Sequence, residues 1–205
     1  NGDAWGDNYY NVERVLKLAL SINDSERTIN TVEAVIDYAE RTSDDDKIGT
    51  YCYLFDLLLP PKKGPALTAD QEVAILTRFE TRFSEMTTPG GSYDASPHSP
   101  LEIGRRLASY YKRKGREQDR VSTIKGIAMA FERRAKIGDA LGGVMFLDDA
   151  RKFYIEAGLK DEAERVLRES EELAPEAKKR MSRHSVEIEI PDDSRQEFLD
   201  GLMSE

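Results

Sequence analysis

Leu107-Ala108-Ser109-Tyr110-Tyr111-Lys112-Arg113-Lys114-Gly115 and Ala150-Arg151-Lys152-Phe153-Tyr154-Ile155-Glu156-Ala157-Gly158 are two versions of one pattern, 43 residues apart. In each, an aromatic pair is followed, four residues after its second member, by glycine. The aromatic suits the seam between two packed helices. The glycine suits the left-handed backbone that ends a helix and turns the chain back. A polar stretch and a further amphipathic segment follow each glycine, so the chain reads as helical hairpins set one after another.

The same periodicity extends in both directions. Tyr9, Val12, Val15, Leu16, Ala19 and Leu20 recur at three- and four-residue steps and predict a helix over about 9–21. A second, about 26–41, carries Ile29, Val32, Val35, Ile36 and Ala39. Ser43-Asp44-Asp45-Asp46 starts a third, with Ile48, Tyr51, Cys52, Leu54, Phe55 and Leu58 on its apolar stripe. Pro60-Pro61 stops it, because proline lacks the amide donor. Thr68 and Gln71 form a capping-box pair ahead of a fourth helix that buries Val73, Leu76, Phe79 and Phe83. The stretch 87–100 is rich in proline, glycine and serine and reads as a loop. Ser99-Pro100-Leu101-Glu102 predicts a start with serine as cap and proline first in the helix. Four or five helices follow to about 182. Val186 to Ile190 alternates with period two and predicts a short strand or extended arm, and Ser194 begins a last short helix. The expected organisation is a helical subdomain over 1–88, a loop over 89–100, and a hairpin subdomain with a short extension over 101–205.

From Val144 to Ala177 the chain resembles a tetratricopeptide repeat. Leu147, Ala150 and Tyr154 stand where that pattern puts its large, apolar and tyrosine positions. Gly158 is its turn, and Ala163, Leu167 and Pro175 are its small, bulky and closing residues. Arg151 and Ser170 depart from it. The earlier copy matches through Leu107, Ala108, Tyr111 and Gly115 but has Arg120 in the place of Ala163. A 43-residue spacing also suits HEAT-type pairs. The resemblance implies an all-α fold, an array of antiparallel helical hairpins (TPR-like or HEAT-like α-solenoid) of about nine helices. In general layout the chain is also similar to the N-terminal helical region of larger bacterial proteins that end in a HEPN-like domain. That domain's Arg-Asn-x-x-x-His-type motif does not occur here, so no catalytic residue carries over.

Charge is unevenly spread. Residues 1–100 hold 9 Lys/Arg and 17 Asp/Glu, residues 101–140 hold 11 and 5, and residues 141–205 hold 10 and 17. The basic segment 105–136 predicts a face for an acidic or phosphate-rich partner. The candidate partner-binding residues are Arg105, Arg106, Tyr110, Lys112, Arg113 and Arg116, with Tyr110 the aromatic left for stacking if Tyr111 is in the core. The competing reading is that these cations solvate one hairpin and pair with the acidic flanks.

The chain has 205 residues, a formal net charge of −9 and 34% charged residues. A lone cysteine, Cys52, rules out an internal disulfide, and two histidines leave few ligands for zinc. No apolar run approaches the roughly 18 residues that span a bilayer. There is no Gly-x-Ser-x-Gly elbow, phosphate-binding loop or His-Glu-x-x-His. Cys52 reads as a core thiol, His98 as a loop residue and His184 as a helix-end cation. We expect no catalytic residue, metal or cofactor in this chain. We expect a cytoplasmic, non-catalytic interaction module, a fragment of a larger bacterial protein, that binds a protein partner or its own C-terminal domain. The alternative is the RNA-positioning half of a HEPN-type nuclease.

Overall fold

The computed structural model describes residues 14–18, 21, 25–40, 44–59, 67–89, 98–137 and 139–187. Every regular element among them is helical: α1 (Ser25–Glu40), α2 (Asp44–Leu58), α3 (Ala69–Thr87), α4 (His98–Arg113), α5 (Glu117–Ala135), α6 (Ala140–Glu156) and α7 (Lys160–Glu187). Residues 14–18 are helical too. The seven named helices compare with the nine or so expected. Residues 9–13, 90–97 and 194–203, on which a helix, a loop and a last helix were expected, lie outside the described residues, as do the side chains of Ile36, Ala39 and Ile48.

From α4 onward each helix packs on the next. Ahead of it, α1 packs on α2 and α3, α2 on α4, and α3 on α4 and α5. The apolar stripes meet in one buried cluster. It takes Tyr51, Leu54 and Phe55 from α2, Phe79 and Phe83 from α3, Leu107 and Tyr111 from α4, Ile127 and Phe131 from α5, Ala150 and Tyr154 from α6, and Val166 from α7. The cluster therefore continues from one side of the 89–100 stretch to the other. Phe79 is wholly buried and meets Phe55 edge-on at 4.9 Å and Tyr51 at 6.5 Å between ring centroids.

The helix ends follow local chemistry. Gln71 N donates to Thr68 Oγ1 at 3.2 Å, and Thr68 N donates to Gln71 Oε1 at 2.8 Å, which completes the capping box of α3. Asp139 caps α6 by accepting from Gly142 N at 2.8 Å. The α4–α5 and α6–α7 turns are alike atom for atom. Gly115 has φ +68° and Gly158 φ +75°. Arg116 N donates to Tyr111 O and Gly115 N to Lys112 O. At the offset of 43, Leu159 N donates to Tyr154 O and Gly158 N to Ile155 O. Both are Schellman closures, in which the left-handed residue lets two amides reach back to the last carbonyls of the helix.

Five local expectations are corrected. Val73 is 63% exposed, because it lies roughly 200° round the helix from buried Gln71. Val15 is likewise exposed, while its neighbour Leu16 is buried. The fifth predicted helix start moves: α4 begins at His98, so Ser99 and Pro100 lie in its first turn and His98 is not a loop residue. Proline costs little there, since first-turn amides have no intrahelical acceptor. Pro175 does not close α7, which runs on to Glu187. It sits on the exposed side, where the Glu171 carbonyl that loses its donor can face water. Val186 and Glu187 are helical, not extended, and 188–190 lie outside the described residues.

Candidate interaction site

The basic segment folds into α4, the Gly115 turn and α5, and most of its cations are tied to neighbouring elements. Arg105 reaches Glu156 of α6 at 3.3 Å and lies 4.9 Å over the Phe153 ring. Arg106 joins Asp56 of α2 at 3.0 Å and Glu102 of its own helix at 2.8 Å. Burial works against its charge, but these two carboxylates outweigh burial and raise its pKa further. Arg113 donates to Leu59 O and Ser109 Oγ, both at 3.2 Å. Arg116 pairs with Asp119 at 2.7 Å and stands 3.7 Å from Glu80, with its guanidinium 4.7 Å over Tyr111. Arg120 pairs with Glu117 at 2.7 Å and Lys125 with Glu162 at 3.4 Å. Lys112 is exposed and, of the six candidate residues, is the one whose side chain makes no hydrogen bond or ion pair among the described residues. The positive charge that marked this segment in the sequence is thus largely neutralised in place. Each exposed pair stabilises by only about 0–1 kcal/mol.

Tyr110 corrects the expectation of an exposed stacking ring. It is 5% exposed, and its hydroxyl donates to Glu72 of α3, which also pairs with Lys114. Tyr111 and Tyr154 are 3% and 2% exposed. Their hydroxyls donate to Glu80 of α3 and Glu132 of α5. A guanidinium completes each of these last two, Arg116 at Glu80 and Arg165 at Glu132 (2.8 Å). Tyrosine and glycine were legible as a repeat. Their carboxylate partners, 31 and 22 residues away in sequence, carried no local signal.

Burial first, and the hydrogen bond to a carboxylate second, hold the hydroxyls of Tyr110, Tyr111 and Tyr154 well above the usual phenol range. A raised folded pKa contributes stability that is complete below the unfolded value near pH ~10 and is lost as pH climbs through the folded value. We therefore expect at least three of the nine tyrosines to stay un-ionised in a phenolate absorbance titration until the helices melt. All nine ionising near pH ~10 with helical circular dichroism intact would contradict this. Glu72 moves the other way: its hydrogen bonds from Lys114 and Tyr110 lower its pKa. Its contribution holds above the unfolded carboxylate range and fades as pH falls through the lower folded value.

Among the clefts that the described residues line, two bear on the site. The first, about 450 Å³, lies between α3, α4 and α5. Phe83, Leu107 and Gly126 contribute apolar surface, and Met129, 39% exposed, stands at its edge. Glu80, Arg116, Asp119 and Lys125 form its charged walls. The second, about 520 Å³, lies between α7 and the α5–α6 turn and is lined by Leu147, Leu173, Glu169, Glu172, Glu176 and Arg180 among others. Of the six candidate residues only Arg116 lines the first cleft, and none lines the second. Met129 was not singled out from the sequence, although it falls off the buried stripe of Ile124, Ile127, Ala128 and Phe131, which is a readable sign of an outward apolar side chain.

Cys52 is buried, and burial pushes its thiol up to about 11, which keeps it protonated at neutral pH. Among the described residues no group of three His, Cys, Asp or Glu side chains converges to hold a metal ion. Nor, among them, is any helix long and apolar enough to cross a membrane. The described residues define an all-helical fold that carries these clefts. Comparisons with protein-family models, with curated proteins and with solved structures find no match.

Proposed function

We propose that the chain is a non-catalytic protein-interaction module, an array of antiparallel helical hairpins of the tetratricopeptide-like or HEAT-like kind, with the α3–α4–α5 cleft as its docking seat. The observation that carries this reading is the cleft's make-up. Exposed Met129 stands beside the buried Phe83 and Leu107 of the floor, between walls whose charges already have partners in Arg116–Glu80, Arg116–Asp119 and Lys125–Glu162. Such a surface favours an apolar side chain of a partner, and an exposed methionine adapts to its shape. The alternative, an RNA-positioning half of a HEPN-type nuclease, draws on the outer face of α4, where Lys112 is unpaired and Arg105 and Arg113 remain exposed.

Paired variants separate the two. Met129→Glu is expected to weaken capture of a cross-linked, identified protein partner by about tenfold, while Lys112→Glu leaves it unchanged. Equal capture by both variants removes the cleft as the seat. In an RNA titration at two salt concentrations, affinity that falls steeply with salt and is lost in Lys112→Glu would favour the alternative. The module reading expects no RNA binding even at low salt.

A further inference from the structure

Helix α6 is apolar on two sides. Its buried stripe, Gly143, Leu147, Ala150 and Tyr154, lies against α5 and α7. About half a turn round, Leu141, Met145, Asp148, Lys152 and Ile155 follow one another at alternating steps of four and three residues. This second stripe faces outward. Leu141 is half-buried, Asp148 and Lys152 are exposed, and Met145 and Ile155 are 61% and 56% exposed. A surface helix ordinarily keeps that side polar. Steps of four and three are instead the spacing of a coiled-coil seam.

The stripe is complementary to itself when reversed. Beside an antiparallel copy with the two-fold at the level of residue 150, residues equally far from 150 come level. Met145 then meets Ile155 of the copy, and Asp148 meets its Lys152. Each contact occurs twice, so two apolar pairs flank two pairs of opposite charge along about 15 Å of helix. A parallel copy in register would instead set Asp148 on Asp148 and Lys152 on Lys152. The charges are available for this. Asp148 accepts from Ser170 of α7 at 3.3 Å, and Lys152, its side chain 73% exposed, holds Asp149 at 2.7 Å. Exposed pairs of that kind contribute little and re-form with other partners at little cost. The contact is small, and Asp149 and Arg151 on its flanks approach their own kind in the copy, so the pair is weak.

We propose that the outer face of α6 is a self-association surface, on which a second copy of this chain seats its own α6 antiparallel. The contact is isologous and closes at two copies. None of these residues lines the α3–α4–α5 cleft, so this reading and the docking seat can fail separately.

Charge exchange tests it on the full 205-residue chain, with circular dichroism to verify the fold of each variant. By light scattering the wild-type mass is expected to rise from 23.2 kDa towards twice that value by roughly 100 µM protein. Asp148→Lys and Lys152→Glu each stay monomeric, because like charges then meet. Asp148→Lys/Lys152→Glu in one chain restores the dimer, since the signs are exchanged on both copies. Cysteine pairing reads the register, Cys52 being buried. Met145→Cys mixed with Ile155→Cys forms a disulfide-linked dimer on oxidation. Met145→Cys alone does not, because its two copies lie about 15 Å apart along the helices. A wild type or a double exchange that stays monomeric, single exchanges that dimerise as wild type does, or Met145→Cys that links to itself as readily as to Ile155→Cys overturns the proposal.

Discussion

Glu132→Ala is expected to lower the unfolding free energy by about 2–3 kcal/mol, the cost of leaving buried polar groups without their partner. Glu132 is 8% exposed on α5, and it accepts from Tyr154 of α6 and Arg165 of α7. One carboxylate therefore ties three helices together. Removing it strands the Tyr154 hydroxyl, which is buried, while Arg165 is 41% exposed and can rehydrate and still hold Glu169. The tyrosine thus dominates the loss. Glu132→Gln keeps an acceptor for it and is expected to cost about 1 kcal/mol, as is Tyr154→Phe, which leaves Glu132 paired to Arg165. In a urea-denaturation cycle the double variant Glu132→Ala/Tyr154→Phe loses less than the two single losses combined, because one hydrogen bond underlies both. A Glu132→Ala variant as stable as the wild type would show that this contact contributes nothing.

The helices were legible because their causes are local. Apolar spacing placed α1 to α7, the Thr68–Gln71 pair marked the start of α3, and Gly115 and Gly158 marked two reversals whose positive φ a side chain would strain. The site was less so, because it depends on what lies across from each residue. Arg105, Arg106, Arg113 and Arg116 fall within residues 105–116 and are basic, which suggested a free face. Folding brings Glu156, Asp56, the Leu59 carbonyl and Glu80 to them from three other parts of the chain. Tyr110 failed for the same reason. Two adjacent tyrosines on a helix differ by about 100°, yet a crowded junction of α2, α3 and α4 buries both, with Phe55 and Tyr111 each edge-on to Tyr110. The expected end of α7 at Pro175 was a propensity argument that an outward-facing position defeats. The helix continues for twelve residues past Pro175, to Glu187, and its last part lies beyond the level of Arg180 and Asp139, where α6 begins.

Gly104→Val is expected to cost about 3 kcal/mol or more, the upper part of the overpacking range, and to lower the midpoint of thermal unfolding by about 6–12 °C. Gly104 lies where α3, α4 and α5 cross beneath the first cleft. A Cβ there would come within 2.7 Å of Ile127 Cγ1 and of Phe83 Cε2. Ile127 is wholly buried and Phe83 is 8% exposed, so neither can swing aside into solvent. Alanine brings the same collision with one methyl, but it gains about 1 kcal/mol of helix propensity over glycine. Its net loss is therefore smaller, near 1 kcal/mol, and valine's two further methyls make the difference. Gly115→Ala isolates the opposite cause. Nothing lies within 4 Å of a Cβ at Gly115, but its φ is +68°, so its cost is purely that of the left-handed backbone, roughly 1–2 kcal/mol. The two glycines also differ in what they do to the site. Relief of the Gly104 collision pushes Phe83 towards the cleft it floors, so Gly104→Val should weaken partner capture even at temperatures where the chain remains folded. Gly115→Ala should leave the cleft intact and lower only stability. Equal stability losses for the valine and alanine variants at Gly104 would mean that the crossing is loose enough to absorb a side chain, and that the cleft floor is not held by close contact of these three helices.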